Sequence, residues 1–376
     1  MKWKEYCLDE IIHIKHGYAF KGEFFSEKPT DDILLTPGNF SIGGGFKAQK
    51  LKYYSGEFPV DYILDENDVI VTMTDLSKQA DTLGFSAKVP AWSGKRFLHN
   101  QRIGLVSLKR DDFSLSYLYW LMRTYSYQRF VANSATGATV KHTSPTKICQ
   151  YKFTAPEDKT TQQKIASILS AYDDLLENNL KRIKLLEEKA EIAYKTTQNG
   201  QIFLRKANEV LLFSTGKLNS NAAVPKGLYP FFTCGQEVLR TNTFSKDEEA
   251  VLLGGNNASA IYPVFYYKGK FDAYQRTYII KPNPDFQISM KYLYFFWKGK
   301  LDYLKNISTG AATKFLTLKI LNDIDIPLPD EIVMSDFETL VDPIFQLKAV
   351  LVDQNAKLRE AIDILLPRLM SGEIAF

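Results

Sequence analysis

The stretch from Thr160 to Lys195, TTQQKIASILSAYDDLLENNLKRIKLLEEKAEIAYK, contains neither glycine nor proline and decides how the rest of the chain is organised. Thr160 and Gln163 have the spacing of a capping box, so we expect a helix to begin there. At 1.5 Å per residue this helix is about 50 Å long. Its apolar residues recur at steps of three and four and therefore share one face: Ile165, Leu169, Tyr172, Leu176, Ile183, Leu186 and Ala190.

A second segment of the same kind runs from Ser335 to about Leu366. Ser335 and Glu338 repeat the capping-box spacing, and Pro343 predicts either a bend or the true start of the helix. A solitary helix of this length leaves its apolar face exposed, so we expect the two helices to pack on each other as an antiparallel coiled coil. The alternative is that each long helix packs only on its own domain.

The segments outside the helices repeat one another, in the same order and at a nearly constant spacing along the chain. Each match is short, but the ordered series indicates an internal duplication. The matches are Gln101-Arg102 with Gln275-Arg276, Tyr117–Tyr119 with Tyr292–Tyr294, and Thr136–Lys141 with Thr309–Lys314. We therefore predict an α+β protein in which two mixed α/β domains are separated by the two long helices, with internal pseudo-two-fold symmetry. The expected boundaries are 1–157 for the first domain, 158–198 for the first helix, 199–333 for the second domain, and 334–376 for the second helix and C-terminal tail.

The composition is typical of a globular protein. Of 376 residues, 45% are apolar and 24% are charged, which excludes a mostly disordered or collagen-like chain. No apolar run approaches the roughly 20 residues that span a bilayer, and the first residues do not have the pattern of a signal peptide. The three cysteines are widely spaced and form no disulfide framework. We therefore expect a cytoplasmic protein.

The overall net charge of +4 conceals a division between segments. The net charge is +3 over residues 1–157 and +6 over residues 196–329, whereas it is 0 over 158–195 and −5 over 330–376. The two basic segments coincide with the two predicted domains. Each domain is therefore a candidate for binding a polyanion.

The sequence lacks the common catalytic motifs. It contains neither the phosphate-binding loop GxxxxGK followed by Ser or Thr nor the nucleophile elbow GxSxG. All four histidines lie in the first domain, so a duplicated histidine-dependent site is impossible. We therefore expect a protein of binding and assembly, with no catalytic residues, no metal site and no cofactor of its own.

Two segments resemble the specificity subunit of type I restriction-modification systems. One is the entry to the first helix, Pro156-Glu157-Asp158 followed by Gln162-Gln163-Lys164-Ile165-Ala166, and the other is the tail Leu366-Pro367-Arg368-Leu369-Met370-Ser371-Gly372-Glu373-Ile374. The order of domain, helix, domain and helix is similar to that family over nearly the whole chain. The resemblance implies that the two domains are target-recognition domains, each reading one half of a split, asymmetric DNA site.

The resemblance also implies a set of partners. In such systems the subunit is not catalytic, and its helices space the two domains and dock two methyltransferase (modification) subunits. Those subunits use S-adenosylmethionine to methylate adenine at N6, and a restriction/translocase subunit uses ATP for translocation and cleavage. A non-catalytic coiled-coil adaptor that binds protein partners is the alternative.

Candidate DNA contacts are expected in loops, because base edges need paired donors and acceptors, and phosphates need cations or exposed amides. The recurrence of Gln-Arg in both domains favours a shared contact to the DNA backbone over discriminating base contacts. In the first domain the candidates are Lys21, Ser77, Lys78, Gln79, Gln101, Arg102, Lys141 and His142. In the second domain they are Lys217, Asn219, Ser220, Asn221, Asn256, Asn257, Gln275, Arg276 and Lys314.

Overall fold

The structure is a computed structural model that describes residues 2–49, 51–75, 77, 79–310 and 313–374. It is an α+β protein, as the sequence predicts. Its contacts divide it into two compact units: unit 1 comprises Met1–Asn178 and Gln354–Phe376, and unit 2 comprises Asn179–Asp353. In the described ranges, no helix is long and apolar enough to cross a membrane.

Strands form most of the globular part of unit 1. They are β1 (Trp3–Cys7), β2 (Ile12–His16), β3 (Phe25–Ser26), β4 (Asp32–Leu34), β5 (Lys52–Tyr54), β6 (Ile63–Leu64), β7 (Val69–Thr72), β8 (Thr74–Asp75), β9 (Ser86–Lys88), β10 (Arg96–Leu98), β11 (Ile103–Leu108), β12 (Lys141–His142) and β13 (Lys152–Pro156). The helices are α1 (Leu115–Leu121), α2 (Tyr125–Asn133), α3 (Pro145–Cys149) and the first part of α4 (Lys159–Thr197). The sheet orders are β3-β5-β4-β10-β6, β2-β11-β7-β9, β1-β13 and β12-β8.

Unit 2 is organised around one larger sheet. Its strands are β14 (Ile202–Lys206), β15 (Leu211–Thr215), β16 (Tyr229–Phe232), β17 (Leu239–Thr241), β18 (Lys246–Gly254), β19 (Asn256–Asn257), β20 (Val264–Ala273), β21 (Thr277–Pro282), β22 (Lys314–Phe315) and β23 (Asp325–Pro329). Its helices are α5 (Ala207–Val210), α6 (Met290–Gly299), α7 (Leu301–Ile307), α8 (Leu318–Asn322) and the first part of α9 (Glu331–Ser371). The sheet orders are β15-β21-β18-β20-β16-β17, β14-β23 and β19-β22.

The core of each unit includes side chains from both long helices. In unit 1, Ile165 of α4 and Leu366 of α9 belong to the same buried cluster as Trp120 of α1. In unit 2, Ala190 of α4 and Phe337 of α9 belong to one cluster with residues of α6. Ile165, Leu169, Leu176 and Ala190 of the apolar face expected on the first helix are thus buried, where they exclude water and stabilise the units.

Helix α4 begins at Lys159 because Asp158 caps it. The Asp158 carboxylate accepts hydrogen bonds from the backbone amides of Thr160 at 3.3 Å and Thr161 at 2.9 Å. The capping box expected at Thr160 and Gln163 is therefore wrong. A carboxylate two positions earlier occupies the cap, and it also suits the positive end of the helix dipole.

Helix α9 also begins earlier than the sequence predicts. The Asp330 carboxylate accepts a hydrogen bond from the backbone amide of Val333 at 2.9 Å, so Asp330 caps the helix and the capping box expected at Ser335 and Glu338 is wrong. The Glu338 side chain is used elsewhere, because it accepts a hydrogen bond from Lys291 of α6 at 2.5 Å. Its carboxylate thus joins the long helix to the globular part of unit 2.

Pro343 neither starts nor ends α9, which continues from Glu331 to Ser371. A proline inside a helix removes one N–H donor and is normally costly. Here Val341 and Ile344, on either side of it, are buried in the core of unit 2. Tertiary packing therefore outweighs the local preference.

Candidate nucleic-acid interface

In unit 1, the turn between β10 and β11 holds Gln101 and Arg102 at an exposed tip. The Gln101 amide donates to the Tyr18 carbonyl at 2.9 Å, and the Arg102 amide donates to Asn100 Oδ1 at 3.0 Å. The Ile103 amide closes the turn on the Asn100 carbonyl at 2.9 Å. The backbone is thus fixed while both long polar side chains extend into solvent.

The loop after β8 is organised by Asp75. Its carboxylate accepts hydrogen bonds from the Ser77 amide at 2.6 Å, from the Thr82 amide at 2.6 Å and from Thr82 Oγ1 at 2.7 Å. Burial opposes ionisation of Asp75, but these hydrogen bonds outweigh burial and hold the pKa of the carboxyl below its usual value. Ser77 is half-buried and Gln79 is exposed, whereas Lys78 lies outside the described residues.

Strand β12 brings Lys141 and His142 to this loop. Lys141 pairs with Asp75 and His142 pairs with Thr74, and His142 Nδ1 lies 3.2 Å from Thr74 Oγ1. The amide next to Thr74, that of Met73, donates to the Arg102 carbonyl at 2.9 Å. The loop, the Gln-Arg turn and the Lys-His strand therefore form one continuous face of unit 1.

Lys21 lies three residues after Tyr18, whose carbonyl accepts a hydrogen bond from the Gln101 amide. It is exposed and directly precedes the short 3-10 turn Gly22–Phe24. Over the ranges that the structure describes, no hydrogen bond or ion pair connects its side chain to the loops that carry Ser77, Arg102 and Lys141. Its assignment to the DNA face stays a prediction.

Unit 2 has a second Gln-Arg turn, between β20 and β21. The Gln275 amide donates to the Leu218 carbonyl at 2.9 Å, and the Thr277 amide closes the turn on the Tyr274 carbonyl at 2.8 Å. Gln275 and Arg276 are both exposed. The bond to Leu218 places the next predicted group beside this turn: Lys217, Asn219, Ser220 and Asn221, all exposed.

The two asparagines of β19 pair with β22. Asn256 lies opposite Phe315 and Asn257 lies opposite Lys314. Asn257 Oδ1 accepts from the Ser259 amide at 2.8 Å, while its Nδ2 donates to a backbone carbonyl at 3.5 Å. Asn256 Oδ1 is buried and has no hydrogen-bond partner among the described residues. The Asn257 amide is therefore engaged within the protein, and the Asn256 side-chain oxygen is not exposed.

The hairpins that carry the two lysines depend on glycine. Gly137 and Gly310 have φ angles of +100° and +106°, in the left-handed region. A Cβ on Gly137 would lie 2.0 Å from the Val140 carbonyl oxygen, and a Cβ on Gly310 would lie 2.1 Å from that of Thr313. Only glycine fits either position, which explains why the motif has it in both hairpins.

Phe315 is the residue of this surface that sequence reasoning missed. Its ring lies under the guanidinium of Arg276, with 5.3 Å between the guanidinium carbon and the ring centre. It follows Lys314 directly, at the position that His142 has after Lys141. Extending the match between the two hairpins by one position would have pointed to it.

The chain is similar to known specificity subunits over part of their length. It is 34% identical over 170 residues to the type I restriction enzyme EcoDI specificity subunit of Escherichia coli, a match covering 44% of this chain and 37% of that protein. It is 32% identical over 83 residues to the type I restriction enzyme MjaIX specificity subunit of Methanocaldococcus jannaschii, covering 22% of this chain and 18% of that protein. The matched segments thus span less than half of either relative.

The fold is similar to that of a solved structure over almost its full length. The crystal structure of a type I restriction-modification system S subunit from M. genitalium superposes with a TM-score of 0.63 and 16% identity, covering 98% of this chain and 96% of that one. The family model for the type I restriction modification DNA specificity domain matches residues 1–188 and 204–339. The resemblance read from the sequence is confirmed, and the chain belongs to the family of type I restriction modification DNA specificity domains.

Proposed function

We propose that this chain is the DNA-recognition subunit of a type I restriction-modification enzyme. One observation carries the proposal: each unit has a face made of a Gln-Arg turn, a polar strand end and a lysine-bearing hairpin. In unit 1 the Met73 amide donates a hydrogen bond to the Arg102 carbonyl, and in unit 2 the Gly255 amide donates one to the Arg276 carbonyl. Such a face offers the cations and paired donors that phosphates and base edges require.

Each unit then reads one half of a split, asymmetric site. This proposal includes an internal pseudo-two-fold duplication with recognition domains at 1–157 and 199–333. The loops between the equivalent contacts differ in length and sequence, which fits two domains that read different bases. The duplication is supported by equivalent bridges in the two units: Tyr18 with Asn100 and Leu218 with Tyr274, then Thr136 with His142 and Thr309 with Phe315.

The long helices are proposed to form an antiparallel coiled coil that spaces the recognition domains. The core of unit 1 contains Ile165 from early in α4 and Leu366 from late in α9. The core of unit 2 contains Ala190 from late in α4 and Phe337 from early in α9. Helices that share cores in this order run in opposite directions. A helix of 39 residues is about 58 Å long, or about 17 base-pair steps, so an unread gap follows.

The remaining exposed surface of the helices is proposed to dock two methyltransferase subunits. Leu185, Ile192 and Val350 are 63%, 65% and 62% exposed in unit 2 and offer apolar surface that a partner subunit would cover. In this proposal the partners supply S-adenosylmethionine-dependent methylation of adenine N6, and a restriction/translocase subunit supplies ATP-dependent cleavage. This chain supplies recognition alone and has no catalytic role or cofactor.

Methylation mapping tests the proposal directly. Genomic DNA is sequenced for N6-methyladenine in cells that carry the gene and in cells from which it is deleted, with the deletion complemented as the control. We expect one split motif to lose methylation on deletion and to regain it on complementation. If every motif stays methylated, DNA recognition is wrong and the alternative, a coiled-coil adaptor for proteins, gains support.

A further inference from the structure

The two Gln-Arg turns share their sequence and backbone bonds but differ in what lies beside the arginine. In unit 2 the guanidinium of Arg276 lies 5.3 Å from the centre of the Phe315 ring. In unit 1 the residue at the Phe315 position is His142, whose Nδ1 is hydrogen-bonded to Thr74 Oγ1 at 3.2 Å. Within the described ranges, no Phe, Tyr or Trp ring lies under the guanidinium of Arg102.

Both members of the Arg276–Phe315 pair are held at the backbone. The Arg276 carbonyl accepts from the Gly255 amide at 2.8 Å and from Cys234 Sγ at 3.4 Å. A Cβ at position 255 would lie 2.5 Å from the Arg276 carbonyl oxygen, so the close approach requires glycine. Phe315 exchanges two backbone hydrogen bonds with Thr309, at 2.7 and 3.1 Å. The ring is thus a fixed support for the guanidinium.

The donors of Arg276 are unused within the described part of the chain, where its guanidinium makes neither a hydrogen bond nor an ion pair. Two other exposed arginines, Arg240 and Arg96, differ in this respect. Arg240 donates to the carbonyls of Gly227 and Leu228 at 3.0 and 2.9 Å, and Arg96 donates twice to Asp32. Arg276 therefore combines an aromatic ring beneath its guanidinium with a free set of N–H donors.

We propose that Arg276 selects a guanine in the half-site that unit 2 reads, and that Phe315 positions it. Guanine offers O6 and N7 in the major groove as two acceptors in one plane, the pattern that the arginine fork matches. Stacking on Phe315 leaves the N–H edge free and removes rotational freedom, so less entropy is lost on binding. The inference rests on the proposed DNA-recognition function and names one contact within it.

The contrast with Arg102 supports a base contact for Arg276. A phosphate can be approached from many directions and tolerates a mobile cation, whereas a base edge presents its acceptors in one orientation. Arg102 has the charge without the ring support, so its expected partner is the DNA backbone. The two arginines are therefore assigned different tasks although their sequence context is the same.

The experiment uses the full chain assembled with its methyltransferase partners. The recognised site is first selected from a pool of random DNA duplexes. Dissociation constants are then measured for that site and for duplexes in which each guanine in turn is replaced by 7-deazaguanine, which lacks the N7 acceptor. The variants are Arg276→Lys, which keeps the charge, Phe315→Leu, which removes the aromatic face, and Arg102→Lys as the matched control.

We expect one guanine at which the deaza substitution weakens binding about tenfold for the unmodified chain and has almost no further effect in Arg276→Lys. Discrimination against other bases at that position should fall about 10- to 100-fold in Arg276→Lys. Phe315→Leu should lower the same discrimination by a smaller factor, and Arg102→Lys should leave it unchanged.

Three outcomes would overturn the inference. Equal weakening of all sequences by Arg276→Lys would identify a phosphate contact and leave the recognition function intact. A site with no guanine, or with no Arg276-dependent guanine, would also refute the base contact. A complex of the unmodified chain that selects no sequence at all would refute the proposed function itself. Circular dichroism of each variant checks that the substitutions leave the fold unchanged.

Discussion

Asp75 of unit 1 and Asn257 of unit 2 hold equivalent places but carry different charge. Asp75 pairs with Lys141, and Asn257 pairs with Lys314, the matching lysine of the second hairpin. Each accepts a hydrogen bond from the amide of the serine two positions on, at 2.6 and 2.8 Å. Asp75 also binds Thr82 through two further bonds. The same turn is thus kept in both units, while the loop beyond it is ordered by a carboxylate only in unit 1.

The comparison extends to two more pairs of positions. Arg123 in unit 1 and Lys298 in unit 2 follow the matched Tyr-Leu-Tyr segments at the same distance. His99 is fully buried in unit 1, where the equivalent residue of unit 2 is Ala273. In each pair, unit 1 has the more strongly buried polar group. Substitutions at these positions are therefore expected to affect unit 1 more than unit 2.

The largest expected difference concerns the two cations. Arg123 forms an ion pair with Asp173 of α4, and its side chain is 9% exposed. It also donates hydrogen bonds to Tyr119 Oη and to the Gly43 carbonyl. Arg123→Ala leaves the Asp173 carboxylate without this partner, so it should lower the free energy of unfolding by about 3 to 5 kcal/mol. The decrease is measured by urea denaturation at pH 7.

The matched control is Lys298→Ala in unit 2. Lys298 lies 3.9 Å from Glu191, and both side chains are about 40% exposed. Water screens such a pair, so the variant should lose less than about 1 kcal/mol. Equal losses in the two variants would contradict the idea that the cation matters more in unit 1.

The next effect is the acid sensitivity of unit 1. Burial lowers the pKa of His99 to about 4 from 6.5. Between these values the unfolded chain binds a proton that the folded chain does not, so stability is lost as the pH falls from 6.5 to 4. The loss should reach about 3 kcal/mol. Urea denaturation at a series of pH values measures it.

His99→Gln removes this titration and keeps a donor for the Ile103 carbonyl, which now lies 2.8 Å from His99 Nε2. The variant should flatten the pH dependence between 6.5 and 4. Asp75 acts in a different window: because its pKa is lowered in the fold, its contribution is lost only as the pH falls below about 3.8. A pH profile that is unchanged in His99→Gln would show that other groups cause the acid sensitivity.

A smaller loss of unfolding free energy is expected when the Asp75 carboxylate of unit 1 is replaced. Asp75→Asn replaces one of the two acceptor oxygens by a donor NH2 group, so the side chain can no longer accept from both Ser77 and Thr82. The free energy of unfolding should fall by about 2 kcal/mol. Asn257→Ala, which removes the bond to the Ser259 amide and the long bond to the Cys234 carbonyl, should cost about 1 kcal/mol. Thermal or urea unfolding of both variants gives the two losses of unfolding free energy. A larger loss for Asn257→Ala than for Asp75→Asn would contradict the prediction.

The smallest effect concerns the DNA contact of unit 1. Gln101→Ala combined with Arg102→Ala removes one positive charge from the proposed phosphate contact. Binding should weaken by about 1 kcal/mol for all sequences alike, and the slope of log K against log salt should decrease by about 1. Titrations of cognate and non-cognate DNA at several salt concentrations measure both. A loss confined to the cognate sequence would mean that unit 1 also reads a base with its arginine.

The sequence predicts the regular parts of this molecule because they depend on local pattern. The two long helices follow from their apolar spacing. The predicted starting residues of the two long helices are wrong. The carboxylates of Asp158 and Asp330 cap the helices, whereas the sequence favoured the hydroxyls of Thr160 and Ser335. Pro343 is tolerated because its neighbours pack in the core of unit 2, and such tertiary contacts cannot be predicted from the local sequence.

The candidate site was predictable where the two units keep the same spacing. Gln101-Arg102 and Lys141 recur in the second unit almost the same distance apart, and the structure joins them to one face in each unit. Asp75 and Asn257 do not follow this spacing, because the chain between the β-strand end and the Gln-Arg turn is longer in unit 1. A comparison at constant offset therefore does not align them, and only strand pairing reveals their equivalence.

The division of the chain between the units has a consequence for its synthesis. Unit 2 is one uninterrupted segment, whereas unit 1 needs Gln354–Phe376 in addition to Met1–Asn178. Ile362, Leu366 and Leu369 belong to its core, so unit 1 remains incomplete on the ribosome while unit 2 emerges. At about 5 to 20 residues per second, that interval lasts roughly 9 to 35 seconds. Unit 2, although it is translated after most of unit 1, is thus expected to finish folding first, and unit 1 waits until Gln354–Phe376 has been made.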